Sequence, residues 1–346
     1  MEMTKDYAVY AAQKALELLA IDSPSGFTKK ASEWVKREFE ALGCEVTLTN
    51  KGACLITVGG ENDGLLLEAH TDTLGAMVAE VKGNGRLRVT NIGGLKACNT
   101  ETEIVRVYAR NGKVYEGTLQ LINASAHVNG ALDSTQRSWD TVEVVLDEDV
   151  KTAADVYALG IDTGDFVCPD PRSKITETGY IKSRYLDDKL SVGIILGLVK
   201  FLRDNKIALS RRVYALVTVY EEVGHGGAAS IPKDTTEAIS VDMGCVGTGL
   251  KCTERDVSIC AKDSGGPYDY SVTDRLVKAA QKEGASYAID IYPSYGSDVE
   301  VTLRAGNDVR HGCMGAGVYA SHGYERSHMD GVLNTLKTLK GYLGIE

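Results

Sequence analysis

The chain alternates between segments with the apolar spacing of helices and short runs with the apolar content of buried strands. Apolar side chains recur at helical intervals in residues 8–20 and 28–42, and a break at residues 23–26 separates the two segments. Residues 64–69 form a short, almost continuous apolar run, which is typical of a strand buried on both faces of a mostly parallel sheet. The pattern therefore predicts two helices followed by strands of an α/β sheet.

The middle of the chain has a different pattern, in which apolar and polar residues alternate with a period of two. The alternation is clear in residues 103–109 and 113–121, and Asn111 and Gly112 supply a turn between these two runs. We therefore predict a small β-rich module in the region of residues 77–167.

Helix and strand patterns alternate again after residue 184. Helical spacing recurs around residues 190–201, 276–282 and 332–343, and strand-like runs occupy residues 213–220, 238–241, 287–291 and 317–320. The simplest partition is an α/β domain formed by residues 1–76 and 175–346 and interrupted by a β-rich domain at residues 77–174. We expect a mixed, mostly parallel central sheet with flanking helices, together with an inserted small domain that resembles a β-barrel.

Charge and composition exclude several classes of partner. The chain has 38 lysines and arginines against 48 aspartates and glutamates, a formal net charge of −10. Such a field repels nucleic-acid backbones and anionic membrane surfaces, so we expect neither partner. The apolar stretches are well short of the ~20 residues that span a bilayer. No secretory cleavage pattern follows Met1, and the eight cysteines form no C-x-x-C pair, so we expect a cytoplasmic protein with reduced thiols.

Potential metal ligands stand at the ends of predicted strands and in the turns that follow them. They are His70 with Asp72, Asp187, the pair Glu221 and Glu222, Asp242, and His328. In open α/β sheets, side chains at the carboxyl ends of strands meet at one edge even when they lie far apart in sequence. A mixed set of imidazole and carboxylate groups suits zinc, cobalt or manganese ions. The pattern therefore predicts a metal site at this edge.

The adjacent glutamates are the most informative part of this set. Two carboxylates buried side by side repel each other, and one takes up a proton unless cations lie nearby. Because neighbours on a strand face opposite ways, Glu221 and Glu222 need separate tasks, one binding metal and the other acting as a general base. Asp187 suits either a helix N-cap or a bridge between two cations. His70 and Asp72 share one face of a strand, where Asp72 would orient the imidazole ring.

Each of these residues also has an ordinary structural interpretation when it is taken alone. An isolated histidine is more often a solvated or core side chain than a metal ligand, and this applies to His127, His225, His311 and His322. A strand-end aspartate more often forms a turn. The joint occurrence of two histidines and three carboxylates at separate strand ends is what favours a metal site.

Taken together, the motifs of this chain resemble the M42 family of di-metal aminopeptidases, and the similarity covers nearly the whole chain. The motifs, in chain order, are Ser23-Pro-Ser-Gly26, Glu68-Ala-His-Thr-Asp72, Gly164-Asp-Phe-Val167, Leu186-Asp-Asp-Lys189, Thr218-Val-Tyr-Glu-Glu-Val-Gly224, Lys262-Asp-Ser-Gly-Gly-Pro267, Tyr295-Gly-Ser-Asp298 and Tyr324-Glu-Arg-Ser-His328.

The resemblance implies two divalent metal ions per subunit, zinc, cobalt or manganese, and a role for each candidate residue. The implied ligands are His70 and Asp242 on one ion, Glu222 and His328 on the other, and Asp187 bridging both. Glu221 would be the general base, and Asp72 would assist. His322 is a competing candidate for the last ligand. The implied substrates are short peptides, and the β-rich domain would join subunits into a homo-oligomer, a dimer or a dodecamer.

Other functions would use part of the same residue set. A metal-dependent deacylase or amidase of acylated amino acids would keep the site and change the substrate. A glycan-acting hydrolase would use Glu221 and Glu222 as a carboxylate pair, about 5 to 9.5 Å apart across a sugar. The chain has only 2 tryptophans and 7% aromatic residues, which disfavours a glycan-binding surface. A non-catalytic scaffold would leave the complete ligand set unexplained.

Overall fold

The structure, a computed structural model, describes residues Met1–Glu346 in two units. The first unit consists of Met1–Asp72 and Arg172–Glu346, and the second of Thr73–Pro171. The expected boundaries, after residues 76 and 174, lie a few residues further along the chain. The mixed sheet, its flanking helices and a closed barrel agree with the predicted fold class. None of the helices combines the length and the apolar character needed to cross a membrane.

The helices and the strands are each numbered in chain order. The helices are α1 (Lys5–Leu19), α2 (Lys29–Ala41), α3 (Ala153–Leu159), α4 (Leu186–Asp204), α5 (Tyr270–Lys282), α6 (Asp298–Arg304) and α7 (Met329–Tyr342). The strands are β1 (Glu45–Leu48), β2 (Cys54–Gly59), β3 (Gly64–His70), β4 (Gly75–Val81), β5 (Leu87–Ile92), β6 (Ile104–Tyr108), β7 (Val114–Leu121), β8 (Val142–Leu146), β9 (Phe166–Pro169), β10 (Lys174–Ile175), β11 (Tyr180–Ser183), β12 (Arg212–Thr218), β13 (Thr235–Val241), β14 (Gly244–Val246), β15 (Val257–Lys262), β16 (Tyr287–Ile291), β17 (Arg310–Tyr319) and β18 (Glu325–His328).

A 12-stranded sheet runs through the first unit. Nine of its strands lie in the order β1-β2-β12-β3-β13-β17-β18-β11-β10, while β14 and β15 also pair with β17, and β16 pairs with β15. The four central strands β12, β3, β13 and β17 are parallel, and the strands outside them in this order are antiparallel. All seven residues of β3 are buried, as its continuous apolar run predicts. The carboxyl ends of the central strands therefore lie at one edge.

Helix α4 packs closely against α1 because both helices present small residues to each other. A Cβ atom at Gly193 would lie 2.4 Å from the carbonyl oxygen of Ala11, and a Cβ atom at Gly197 would lie 3.0 Å from the Cβ atom of Ala11. Only glycine fits at such a distance without moving the helices. This contact covers α4, whose first turn carries the candidate ligand Asp187.

The second unit contains a closed barrel of six strands in the order β4-β5-β8-β7-β6-β9. Its strand pairs are antiparallel, so alternate residues of β7 point into the barrel and are buried. Fully buried branched residues fill the interior, among them Val105, Val107, Leu119 and Val144. Closure pairs every strand on both sides and removes the exposed edges of an open sheet.

A fully buried glutamate near the start of β13, Glu237, lies close to three arginines. The carboxylate of Glu237 accepts hydrogen bonds from Arg211, Arg275 and the hydroxyl of Tyr342, and Arg310 lies 3.6 Å away. Deleting one side of such a buried ionic group leaves the other charges without compensation, and this typically costs about 3 to 5 kcal/mol.

We therefore expect Glu237→Ala to lower the free energy of unfolding by about 3 to 5 kcal/mol in denaturant titrations. The matched control is Glu254→Ala, which breaks the partly exposed pair of Glu254 with Arg326 at 3.2 Å. Exposed ion pairs contribute about 1 kcal/mol or less. Equal losses for the two variants would contradict the role given to the buried network.

Candidate metal centre

The carboxyl ends of three neighbouring parallel strands bring candidate ligands to one edge of the sheet. Strand β3 ends at His70, β12 is followed closely by Glu221 and Glu222, and β13 is followed by Asp242. Asp187 reaches the same edge from the first turn of α4. We refer to these five side chains as the histidine–carboxylate cluster.

Two groups of potential ligands meet in this cluster and share one histidine. The ligand atoms of His70, Asp187 and Glu222 lie within 4.8 Å of one another, and so do those of His70, Asp188 and Asp242. Sequence reasoning gave no role to Asp188, although it directly follows a candidate. Its Oδ2 atom lies 3.3 Å from the backbone N–H of His70, which donates to it. Two adjacent donor sets at one edge are compatible with a pair of neighbouring cations, of which His70 would ligate one through Nε2.

The ring of His70 is oriented by contacts on both of its nitrogens. Nδ1 lies 3.0 Å from the carbonyl oxygen of Asp72, while Nε2 lies 3.1 Å from Oδ1 of Asp187 and 3.7 Å from Oε2 of Glu221. When Nδ1–H donates to the carbonyl, the lone pair of Nε2 faces the carboxylates. Asp72 thus orients the imidazole ring mainly through its backbone carbonyl, while its carboxylate Oδ1 lies 3.6 Å from the same nitrogen.

The carboxylate of Asp72 instead holds the turn that carries the two glutamates. It accepts a hydrogen bond from the hydroxyl of Ser25, and it accepts longer ones from the backbone N–H groups of Glu221 and Glu222, at 3.2 and 3.4 Å. Asp72 is fully buried, so these bonds are protected from water. Its position explains how one residue can support both the histidine and the glutamates.

The structure does not bring His328 to this cluster, which corrects the expectation that it is the last ligand. Its Nε2 atom lies 2.9 Å from the carbonyl oxygen of Thr178, and its Nδ1 atom accepts a hydrogen bond from the N–H of Asp330 at 3.0 Å. His328 ends β18, which is antiparallel to β17. The end of an antiparallel strand points away from the edge at which its parallel neighbours end. His328 is therefore the N-cap of α7.

His322 occupies the place that sequence reasoning gave to His328. It lies in the turn after β17, and its Nε2 atom is 3.6 Å from Oδ2 of Asp187 and 3.7 Å from Oε2 of Glu222. The carboxylate of Glu325 accepts hydrogen bonds from the N–H groups of Asp187 and His322, at 3.1 and 3.0 Å. Glu325 thereby holds the start of α4 and the turn after β17 in fixed positions relative to each other. Sequence reasoning missed it because it begins a strand rather than ending one.

Burial and mutual repulsion shift the ionisation of the cluster. Burial, reinforced by the charge of Asp187, raises the pKa of Glu222 well above its ordinary value and that of Asp242 to about 7. The nearby carboxylate of Asp187 raises the pKa of His322 to about 9. Burial opposes the ionisation of Asp187, but the rings of His322 and His70 outweigh it and lower its pKa. The cluster thus has more carboxylates than the imidazole rings of His70 and His322 can neutralise.

Two carboxylate oxygens, one in the cluster and one on the adjacent Asp188, fit the metal-binding interpretation. Oε1 of Glu222 and Oδ1 of Asp188 are buried and accept no hydrogen bond within the protein. A buried anionic oxygen without a donor is costly, and a cation removes that cost. Imidazole nitrogen together with carboxylate oxygen is also the donor set that zinc, cobalt and manganese accept. The residues present therefore fit divalent cations.

Without metal ions, we expect the stability of the protein to fall as the pH rises from 5 to 9. Burial raises the pKa of Asp242 to about 7 and that of Glu325 to about 8, and Asp187 raises that of His322 to about 9. In this window the folded state holds protons that the unfolded chain has released, so the free energy of unfolding decreases with pH.

This pH dependence can be measured by differential scanning calorimetry of the chelated protein, for which we expect the Tm to drop by roughly 5 °C or more across the window. Added zinc should raise the Tm more at pH 8 than at pH 5.5, because its ligands must be deprotonated. A Tm of the chelated protein that rises with pH would contradict this account.

Comparisons with known proteins agree with the fold and the motifs. A family model described as M42 glutamyl aminopeptidase matches residues 52–338. The Bacillus subtilis (strain 168) protein named "Putative aminopeptidase YhfE" is 40% identical over 329 residues, covering 94% of this chain and 95% of that protein.

Solved structures share the fold at lower sequence identity. An aminopeptidase from the archaeon Desulfurococcus kamchatkensis has a TM-score of 0.86 at 19% identity, covering 97% of this chain and 95% of that one. The TET1 peptidase of Pyrococcus horikoshii, described as assembling into a tetrahedron or a large octahedral shell, has a TM-score of 0.84 at 19% identity, covering 97% and 99%. The family match and the extent of the curated similarity show that this chain is a peptidase belonging to the M42 glutamyl aminopeptidase family.

Proposed function

We propose that this chain removes N-terminal residues from short peptides by hydrolysis that depends on two divalent cations. The observation that carries the proposal is the pair of donor groups, both within 4.8 Å and both including His70, at the carboxyl edge of the parallel strands. A single structural ion would not need two adjacent groups. Membership of a peptidase family gives the reaction class.

We take the ligand set that the resemblance to the M42 family implies and place His322, from its distances, in the position expected for His328. His70 and Asp242 would hold one cation, and Glu222 and His322 would hold the other. Asp187 is suited to bridge both, because its Oδ1 atom faces His70 at 3.1 Å while its Oδ2 atom faces His322 at 3.6 Å. Each oxygen of one carboxylate is thus directed toward a different histidine. The donor set suits zinc, cobalt or manganese.

Two cations at this site would polarise the scissile carbonyl and lower the pKa of water. Glu221 would take a proton from the attacking water and later deliver it to the leaving amine. Burial raises the pKa of Glu221 well above its ordinary value. A raised pKa suits a carboxyl group that must first accept a proton and later donate it. Asp72 would position Glu221 through the hydrogen bond from its backbone N–H.

The proposed site also favours substrates with a free N-terminus. A free α-amino group would be recognised by a cation or by a nearby carboxylate of the site, whereas an acylated nitrogen has neither the basicity nor the charge for such a contact. This distinguishes an aminopeptidase from a deacylase or amidase of acylated amino acids, which would need an apolar or hydrogen-bonding pocket for the acyl group.

We also propose that the protein forms a homo-oligomer in which the barrel of Thr73–Pro171 joins subunits. Several residues on the outer side of this unit are large, apolar and exposed, including Ile104, Ile122 and Val128. Such residues are frequent at subunit interfaces. The archaeal neighbour described as a tetrahedron or an octahedral shell supports assembly beyond a dimer.

The proposed function is tested with matched substrates under metal control. We expect the zinc- or cobalt-loaded protein to cleave leucine p-nitroanilide, and we expect N-acetyl-leucine p-nitroanilide to be cleaved at least about 100-fold more slowly. A chelator should abolish cleavage, and added zinc, cobalt or manganese should restore it. Faster release of p-nitroaniline from the acetylated substrate would replace the proposal with an amidase of acylated amino acids, and release of acetate from it would replace the proposal with a deacylase. Chelator-resistant cleavage would remove the metal requirement.

A further inference from the structure

A cavity of about 560 Å³ lies beside the turn that carries the two glutamates. It is bounded by the start of α2, by the turn between β1 and β2, and by Tyr220. We propose that this cavity binds the C-terminal part of a short peptide substrate and that Lys29 and Lys30 hold its free carboxylate. The inference rests on the proposed aminopeptidase function and extends it to the length and terminus of the substrate.

Tyr220 links the cavity to the proposed reaction centre. It forms part of the cavity wall and directly precedes Glu221, so the cavity adjoins the turn that carries the proposed general base. Its ring stacks on His225 with centroids 4.8 Å apart. The backbone of Tyr220 has a φ of 115°, a strained conformation for this residue. Strain of this kind persists only where the surroundings hold the residue in place.

Lys51 strengthens the same wall. Its ammonium group donates to the carbonyl oxygens of His225 and Gly226, at 2.6 and 3.2 Å, just beyond the turn that carries the glutamates. The turn between β1 and β2 is thereby tied to the segment that follows Glu222. The cavity therefore has defined walls and is directly connected to the catalytic turn.

The charge of the cavity is opposite to that of the whole chain. Three lysines and a single acidic residue, Glu33, line it, whereas the chain has a net charge of −10. Lys51 is engaged with backbone carbonyls, and Lys29 lies 3.9 Å from Glu33 in an exposed pair that contributes little. Lys30 makes no ion pair. Lys29 and Lys30 are consequently the groups that can meet an anion.

A short peptide with a free C-terminal carboxylate matches the apolar and cationic lining of the cavity better than a peptide amide or a long chain does. Phe27, Leu48 and Tyr220 offer apolar surface for one or two side chains, and the lysines offer cations for the terminus. Each extended residue adds about 3.3 to 3.6 Å, so two or three residues beyond the cleaved bond cover roughly 7 to 11 Å. Specificity for the terminus would follow from charge complementarity.

The test is equilibrium binding of the tripeptide Leu-Ala-Leu and of its C-terminal amide to the zinc-loaded Glu221→Gln variant, measured by isothermal titration calorimetry. We expect the free acid to bind about fivefold more tightly than the amide. Adding Lys29→Gln and Lys30→Gln should bring the ratio close to one. The matched control, Lys282→Gln, changes an exposed lysine of α5 outside the cavity and should keep the ratio.

The outcomes separate this inference from the proposed function. Equal binding of acid and amide, or a preference that survives loss of both lysines, would overturn the carboxylate site. Displacement of the tripeptide by inorganic phosphate at equal concentration would assign the cavity to phosphate and would also overturn it. Cleavage of the same peptides by the unmodified protein tests the proposed function alone. Absence of cleavage, together with a lysine-dependent preference for the free acid over the amide, would contradict only the aminopeptidase assignment.

Discussion

Glutamine in place of Glu221 is expected to reduce kcat/KM for an unblocked peptide by about 10²- to 10⁴-fold, with both metal ions still bound. An amide keeps the size and the polarity of the side chain but cannot take a proton from water. The backbone N–H of Glu221 still donates to Asp72, so the turn should keep its position. The measurement combines steady-state kinetics with elemental analysis of the purified variant.

The neighbouring glutamate provides a matched control. Glu222→Gln makes the same chemical change one residue away, and we expect it to reduce the metal content because it removes a proposed ligand. The structure gives a reason for the difference, since 16% of the Glu221 side chain is exposed and only 4% of the Glu222 side chain. A general base must reach the attacking water, so the more exposed of the two glutamates suits that role. A Glu221→Gln variant with a near-normal rate would refute the assigned role.

The parts of the fold that sequence patterns predicted are those in which burial decides the pattern. Strand β3 is covered on both faces, so its apolar run is continuous, and β7 lines a barrel, so its residues alternate. The rule that side chains converge at the carboxyl ends of parallel strands placed His70, Glu222 and Asp242 together before any geometry was available. These predictions depend only on local periodicity and on the direction of strands.

Short strands at the margin of the sheet could not be predicted in the same way. Strand β18 spans four residues, Glu325–His328, and carries charged residues in place of an apolar run. Because it was not recognised, His328 was taken to follow the strand near residues 317–320, when in fact an antiparallel strand lies between them. Applied to β17 alone, the strand-end rule selects His322, which lies in the turn after that strand. Strand direction, and not residue type, was the missing information.

His322→Ala is expected to lose one of two metal equivalents and to lower kcat/KM by at least about 100-fold, because a direct ligand matters at least as much as an outer-shell partner. The Nε2 atom of His322 faces both Asp187 and Glu222, and its side chain is 38% exposed, so it can be reached by solvent and substrate. Elemental analysis gives the stoichiometry, and the remaining equivalent should stay with His70 and Asp242.

His328→Ala should lower the stability of the protein and leave its metal content unchanged, because this ring stabilises the fold and does not belong to the cluster. It caps α7 by accepting a hydrogen bond from Asp330, and it packs edge-on against Tyr180 at 4.8 Å. Loss of such a cap costs about 1 kcal/mol, so the free energy of unfolding should fall by roughly that amount while both metal equivalents remain. If His328→Ala lost a metal ion and His322→Ala kept both, the placement of the two histidines would be reversed. Because one variant tests metal content and the other tests stability, neither result can be mistaken for general damage to the protein.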